Sequence, residues 1–140
     1  MIAVSYHDTV NVLQGIAATP SGPFERSEWF ALLAEQQSGI TIAFARDEDV
    51  AVGLPLLETR GHFEALRNWY SFIWRPLGGD HPGLMEAVAH DLRSRTHRGT
   101  LWPVPDEDGS ASRVALAFCK AGWSVCCQPC DHNHVLPVQG

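Results

Sequence analysis

The sequence predicts a mixed α/β (α+β) domain in layers: a mixed sheet containing an antiparallel three-strand meander, with helices on both faces. Three observations predict it. Stretches whose apolar residues alternate are interleaved with stretches that repeat at helical spacing. Two tight polar turns separate three consecutive strand patterns between residues 40 and 69, which favours antiparallel neighbours. The chain has 140 residues, 45% of them apolar and 19% charged, which suits one packed core and neither disorder nor a coiled coil. A single domain over residues 1–140 is expected, without internal repeats.

IAVSY (2–6) reads as a strand, followed by a weaker, helix-compatible piece over 9–17 and a loop that holds Pro20 and Pro23. Residues 24–37 read as a helix, because Trp29, Leu32 and Leu33 recur at its period and Glu25 and Glu28 lie near its positive end. Ile40, Ile42 and Phe44 alternate with smaller residues, as a half-buried strand does. The charged turn Asp47-Glu48-Asp49 leads to VAVGLPLL (50–57), and Thr59-Arg60-Gly61 leads to HFEALRNW (62–69). Pro55 has no ladder donor, so its strand is expected near an edge or at a bulge.

Asp80 can cap the next helix, with Pro82 in its first turn, Leu84, Val88 and Leu92 as its buried stripe, and Gly99 as its end. TLWPV (100–104) is a short strand. Ser110 is placed as the cap of a helix with Val114, Ala117, Phe118 and Ala121 on one face, stopped by Gly122. WSVCC (123–127) and HVLPV (134–138) are the last two strands.

A net charge of −6, with Lys120 the only lysine, disfavours a nucleic-acid partner, since phosphate-backbone binding needs a basic field. Arg93, Arg95, His97 and Arg98 form a local exception, read as the solvated, cation-rich end of a helix. No apolar segment approaches the ~20 residues of a membrane span, and no signal-peptide pattern follows Met1, so a cytoplasmic location is expected. The four cysteines, Cys119, Cys126, Cys127 and Cys130, are then expected as reduced thiols.

The run PFERSEWFALLAEQ, then AVGLPLL, then LRNWYSFIWRPL, then TLWPVPDEDGSASRVALAFCKAGW resembles the amino-terminal half of GNAT or FemAB-like N-acetyltransferases, including CelD-type proteins of cellulose biosynthesis. The resemblance covers about residues 2–138 and is most specific over 68–76. It implies a GNAT-like sheet, in which a three-strand meander precedes the central helix and a strand, a helix and two strands follow. It also implies a protein of two GNAT-like halves, the second of which binds acetyl-CoA or another acyl-CoA and carries the transfer. The partner expected for this chain is that missing half or a homodimer mate, and the expected ligand a small-molecule amine acceptor.

In this fold a coenzyme A site needs helix-start N–H groups in an Arg/Gln-x-x-Gly-x-Gly/Ala loop. The matching corner reads Arg75-Pro76-Leu77-Gly78-Gly79-Asp80: the start matches, with Gly78 and Gly79 as weak candidates, but Asp80 stands where a small residue is needed and its carboxylate would repel a pyrophosphate; a glycine turn into a capped helix is the other account. No cofactor is therefore assigned to this half alone. Asn68, Trp69, Tyr70, Ser71, Trp74 and Arg75 are the candidate acceptor-side residues, since rings give flat contact area and Arg75 or Asn68 could orient a carbonyl. Core packing and a covered interface account for the same rings. Acyl transfer needs a base and a donor for the leaving thiolate; Tyr70 is a candidate donor, and Glu58, His62 or Glu64 a candidate base. Polar side chains that simply face solvent, with a buried, hydrogen-bonded tyrosine, are the alternative.

CCQPCDHNH (126–134) is a competing cluster. Cys127, Cys130, His132 and His134 suffice in number for tetrahedral zinc, although four ligands within eight residues strain the chain. Buried thiols and a polar connection, or redox chemistry, are the other readings. The function expected is an acceptor-side half of an acyl-CoA-dependent N-acyltransferase with little or no catalysis alone; a non-enzymatic binding or dimerisation module and a small zinc module are the alternatives.

Overall fold

The computed structural model describes residues 2–16, 27–35, 37–67, 74–78, 81–130 and 133–140. Its strands are β1 (Ala3–His7), β2 (Ile40–Asp47), β3 (Val50–Thr59), β4 (His62–Ala65), β5 (Arg98–Pro105), β6 (Ser124–Val125), β7 (Gln128–Cys130) and β8 (Asn133–Gln139). Its helices are α1 (Ser27–Ala34), α2 (Pro82–Leu92) and α3 (Ser110–Lys120), and a 3₁₀ helix spans Val10–Gly15. One open sheet runs β1-β2-β3-β4-β5-β8-β6, with β7 also paired to β8. Every pairing is antiparallel except β4 with β5. The expected mixed α/β layers and the meander β2-β3-β4 are present.

The sheet register decides which helix meets which side chain. Gly53, opposite Phe44, turns its missing Cβ towards Leu13 and Ile16, so the 3₁₀ helix covers that face. On the other face the Tyr6 hydroxyl donates to Asp91 of α2 at 2.6 Å, and Phe63 meets the Phe118 ring of α3 at 6.2 Å between centroids. Because both faces of β2 are covered, Ile42, Ala43, Phe44 and Ala45 are all buried, and the half-buried strand of the sequence reading is a core strand. In α1, Phe30 and Leu33 face inward, while Leu32 is 56% exposed and not part of the buried stripe.

Pro55 explains the shape of the third meander strand. β3 is an interior strand, but the Pro55 carbonyl points to the β4 side, where it accepts from Leu66 N–H at 3.0 Å. Its missing N–H falls on the same side, so the ladder stops there and β4 ends at Ala65 instead of reaching residue 69. The chain returns to the same edge at Leu77, which exchanges two backbone hydrogen bonds with Gly53 at 2.8 and 2.9 Å.

Two helix boundaries differ from the sequence reading. α2 ends at Leu92, and Gly99 lies inside β5, where a Cβ would collide with the Phe63 ring. Gly99 is there for space rather than to stop a helix. α3 begins with Ser110 as its first residue, not its cap: the left-handed Gly109 precedes it, and the Asp108 and Asp106 carboxylates accept from Ser110 N–H and Ser112 N–H. Asp80 lies outside the described residues, and the residue preceding α2 is His81. At the far end of α3, Trp123 N–H bonds Phe118 O and Gly122 N–H bonds Cys119 O, with Gly122 at φ +100°, a Schellman stop as the sequence predicts. Among the described residues no helix is long and apolar enough to cross a membrane.

Candidate functional site

The seam between β3 and β5, beyond the short β4, holds Trp74 and Arg75, the two predicted acceptor-side residues that are described. β4 and β5 pair only over His62–Glu64 and Arg98–Thr100, after which residues 74–77 take the place of β4. Trp74 N–H donates to Pro103 O at 2.7 Å, and the Trp74 indole N–H donates to Pro55 O at 3.1 Å. Its side chain is 1% exposed. Trp74 therefore closes the seam as a core residue and offers no free ring face, which corrects its assignment to an open cleft wall. Asn68, Trp69, Tyr70 and Ser71 lie outside the described residues.

Arg75 is committed within the protein. Its guanidinium pairs with Asp108 at 3.0 Å and donates from Nε to Ser110 Oγ at 3.1 Å, tying the seam to the start of α3. The Asp108 carboxyl lies below the usual range: burial acts to raise it, but hydrogen bonds from Ser110 and the charges of Arg75 and Arg113 outweigh that. Gly78 has φ +75°, and a Cβ there would collide with the Ala51 carbonyl oxygen. In the described part of the corner, Arg75 is turned onto Asp108 and Ser110, and Gly78 is packed against Ala51; Gly79 and Asp80 lie outside the described residues.

The three candidate bases are not brought together. Glu58 stands opposite Phe63 in the register, on the α2 face, where Arg95 holds it at 3.0 Å and itself lies 4.0 Å from the Tyr6 ring centroid. Burial first, and then the bond to Asp91, push the Tyr6 hydroxyl well above its ordinary range, so it stays protonated. His62 and Glu64 point to the opposite face, since successive strand residues alternate. Tyr70, the candidate donor, lies outside the described residues. The basic group of residues 93–98 is also dispersed: Arg93 donates to Ala121 O at the end of α3, Arg95 pairs with Glu58, and Arg98 belongs to β5.

Two residues at the seam were missed by the sequence reading. The Arg67 guanidinium lies 3.6 Å from the Trp102 ring centroid, and Gln37 Nε2 donates to Arg67 O at 3.1 Å. Burial lowers the Arg67 pKa, against the opposing pull of Glu64. The arrangement is a flat, cationic stack. Arg67 and Trp102 are 35 positions apart, and no local pattern joins them.

Cys119 on α3 and, in the cysteine-histidine stretch, Cys126 and Cys127 carry free thiols and are exposed, which corrects the reading of buried thiols for these three. Cys126 N–H bonds Pro137 O, while Cys127 belongs to no strand and its thiol is pushed up by burial and by Asp106 and Cys126 nearby. His134 stands on β8 opposite Val104; the Cys130 side chain and His132 lie outside the described residues. Among the described residues no three His, Cys, Asp or Glu side chains gather in a metal-holding group.

Comparison of the chain with protein-family models, with curated proteins and with solved structures gives no match.

Proposed function

We propose that the chain is a GNAT-like, FemAB-type half of an acyl-CoA-dependent N-acyltransferase, supplying acceptor-side surface and performing little or no transfer alone. The order of elements carries this reading: the meander β2-β3-β4, then α2, β5 and α3, then the closing strands, in the sequence that the resemblance implies. β7 is an addition to that order, a short hairpin arm on β8. The committed Arg75 and the close-packed Gly78 agree with a half that leaves the acyl donor to a second GNAT-like half or a homodimer mate. A small-molecule amine would then meet this chain along Asn68, Trp69, Tyr70 and Ser71, which follow Arg67 and its stack on Trp102 directly in the sequence.

Free-thiol release from acetyl-CoA, followed with a panel of primary amines, should stay at the enzyme-free rate for this chain. Primary amines titrated into labelled protein should shift the Trp102 indole resonance. The double substitution Trp69→Ala with Tyr70→Ala should abolish that shift while the spectrum stays dispersed. Turnover by the chain alone would overturn the half-enzyme reading, and a folded protein in which no amine shifts any resonance would overturn the acceptor surface.

A further inference from the structure

The sheet face opposite α3 carries a polar groove that the proposed transfer does not use. The register sets His62 beside Arg98, Arg98 beside Gln139, and Gln139 beside Ser124. Register partners share a face, so these four side chains form one row across β4, β5, β8 and β6, roughly 14 Å long at the usual strand spacing of ~4.8 Å. In the next row stand Glu64, outside the groove's lining, then Thr100 and Pro137, with Cys126 bonded through its N–H to Pro137 O. The groove along these rows has a volume of about 410 Å³, in the range of small-molecule sites. Arg98, Ser124, Cys126 and Gln139 are exposed along it.

The lining has a definite polarity. None of its residues is acidic, in a chain with 16 carboxylates and a net charge of −6. Arg98 has no ion-pair partner among the described residues, whereas Arg75 and Arg95 each pair with an acid. The Thr100 and Ser124 hydroxyls and the Gln139 amide add neutral donors around the guanidinium, and Pro137 with the edges of Val125 and Val138 adds apolar surface. One permanent cation balances one negative charge. The fork of a guanidinium matches the two oxygens of a carboxylate, while a phosphate dianion would bring two charges to that single cation.

We infer that this groove binds a small amphiphilic carboxylate, with its head group on Arg98 and its apolar body along Pro137. The site is separate from the seam and independent of the proposed transfer.

The test is a titration of ¹⁵N-labelled full chain with sodium hexanoate at constant ionic strength, with hexanol and sodium phosphate as parallel probes. Hexanoate should shift the amides of residues 98–100, 124–126, 138 and 139 saturably in the millimolar range, and at least tenfold more tightly than hexanol or phosphate. R98Q should weaken hexanoate at least tenfold, and K120Q should leave it unchanged. Equal binding by wild type and a folded R98Q, shifts scattered over the surface, or tighter binding of phosphate would each overturn the assignment. Should R98Q fail to fold, the hexanoate-against-hexanol ratio on wild type decides alone, and equal affinities would refute the charged head-group site.

Discussion

Gly99 and Phe63 illustrate how one absent atom sets a position in the core. The Phe63 ring lies directly over Gly99, and its other neighbours are Phe118, with centroids 6.2 Å apart, and Trp123, edge-on at 5.7 Å. Trp123 is itself fixed by its indole N–H on Ala89 O at 2.8 Å, so the ring has nowhere to move. Gly99→Ala should therefore destabilise by about 1–3 kcal/mol, the usual effect of overpacking. If crowding is the cause, Phe63→Leu should make room: in urea denaturation the double mutant should be more stable than the sum of the two single losses by roughly 0.5 kcal/mol or more. Strict additivity would assign the loss at Gly99 to something other than the ring. From the sequence, Gly99 is indistinguishable from a helix stop, because a glycine kept for its missing Cβ and one kept for its backbone freedom look alike until the neighbour above it is known.

At the scale of elements, α3 depends on two carboxylates rather than on a hydroxyl cap. Asp106 Oδ1 accepts from Ser112 N–H at 2.9 Å and from Ser112 Oγ at 3.0 Å, and Asp108 Oδ1 accepts from Ser110 N–H at 3.0 Å. The backbone bond from Ser112 is the largest cause that holds the Asp106 carboxyl below its ordinary value of 3.8, helped by the Ser112 hydroxyl and the nearby His134. A carboxyl whose pKa is depressed on folding stabilises the folded state above its unfolded pKa, and that stabilisation is lost as pH falls through the folded value. Asp106→Ala should therefore cost about 1 kcal/mol near pH 7, the ordinary worth of a cap, and the gap in Tm to wild type should narrow below pH ~4. A gap constant from pH 7 to pH 2 would count against the charged cap. The helix itself was legible, from the period of Val114, Ala117 and Phe118 and from Gly122 at its end. Its start was not, since DEDGS offers several capping side chains in a row and only the turn at Gly109, φ +83°, selects among them. The meander was legible for the opposite reason: its two turns, at Glu48 and at Arg60-Gly61, have the positive φ values that such short connections require. β7 was not, because three residues inside a polar, cysteine-bearing stretch carry no period.

At the scale of the whole molecule, the sheet has a weak line that Trp74 repairs. β4 and β5 share three register pairs, and past them the hold between the meander and the β5–β8 side passes through residues 74–77 and the packing of α2 on α3. The sequence locates the irregularity at Pro55 but not the strand it shortens, and it places Trp74 in a run of rings without telling a ligand wall from a core plug. Long-range partners decide that: Pro55 and Pro103 carbonyls from two strands converge on one tryptophan. Trp74→Ala keeps the backbone donor to Pro103 but removes the ring that fills the seam and the bond to Pro55, a loss of about 3–5 kcal/mol for a buried tryptophan. If the seam is a local unit, that loss should appear as a local opening rather than a uniform one. In native-state hydrogen exchange, the amides of Gly53 and Leu77, which bond each other across the seam, should exchange on the order of a hundredfold faster in Trp74→Ala than in wild type. The amides of Ala43 and Ala45, which lie in the fully covered β2, should slow exchange far better in the same protein. A drop of equal size at all four amides would mean that the seam opens only with the whole fold, and unchanged exchange at Gly53 and Leu77 would mean that Trp74 does not hold it closed.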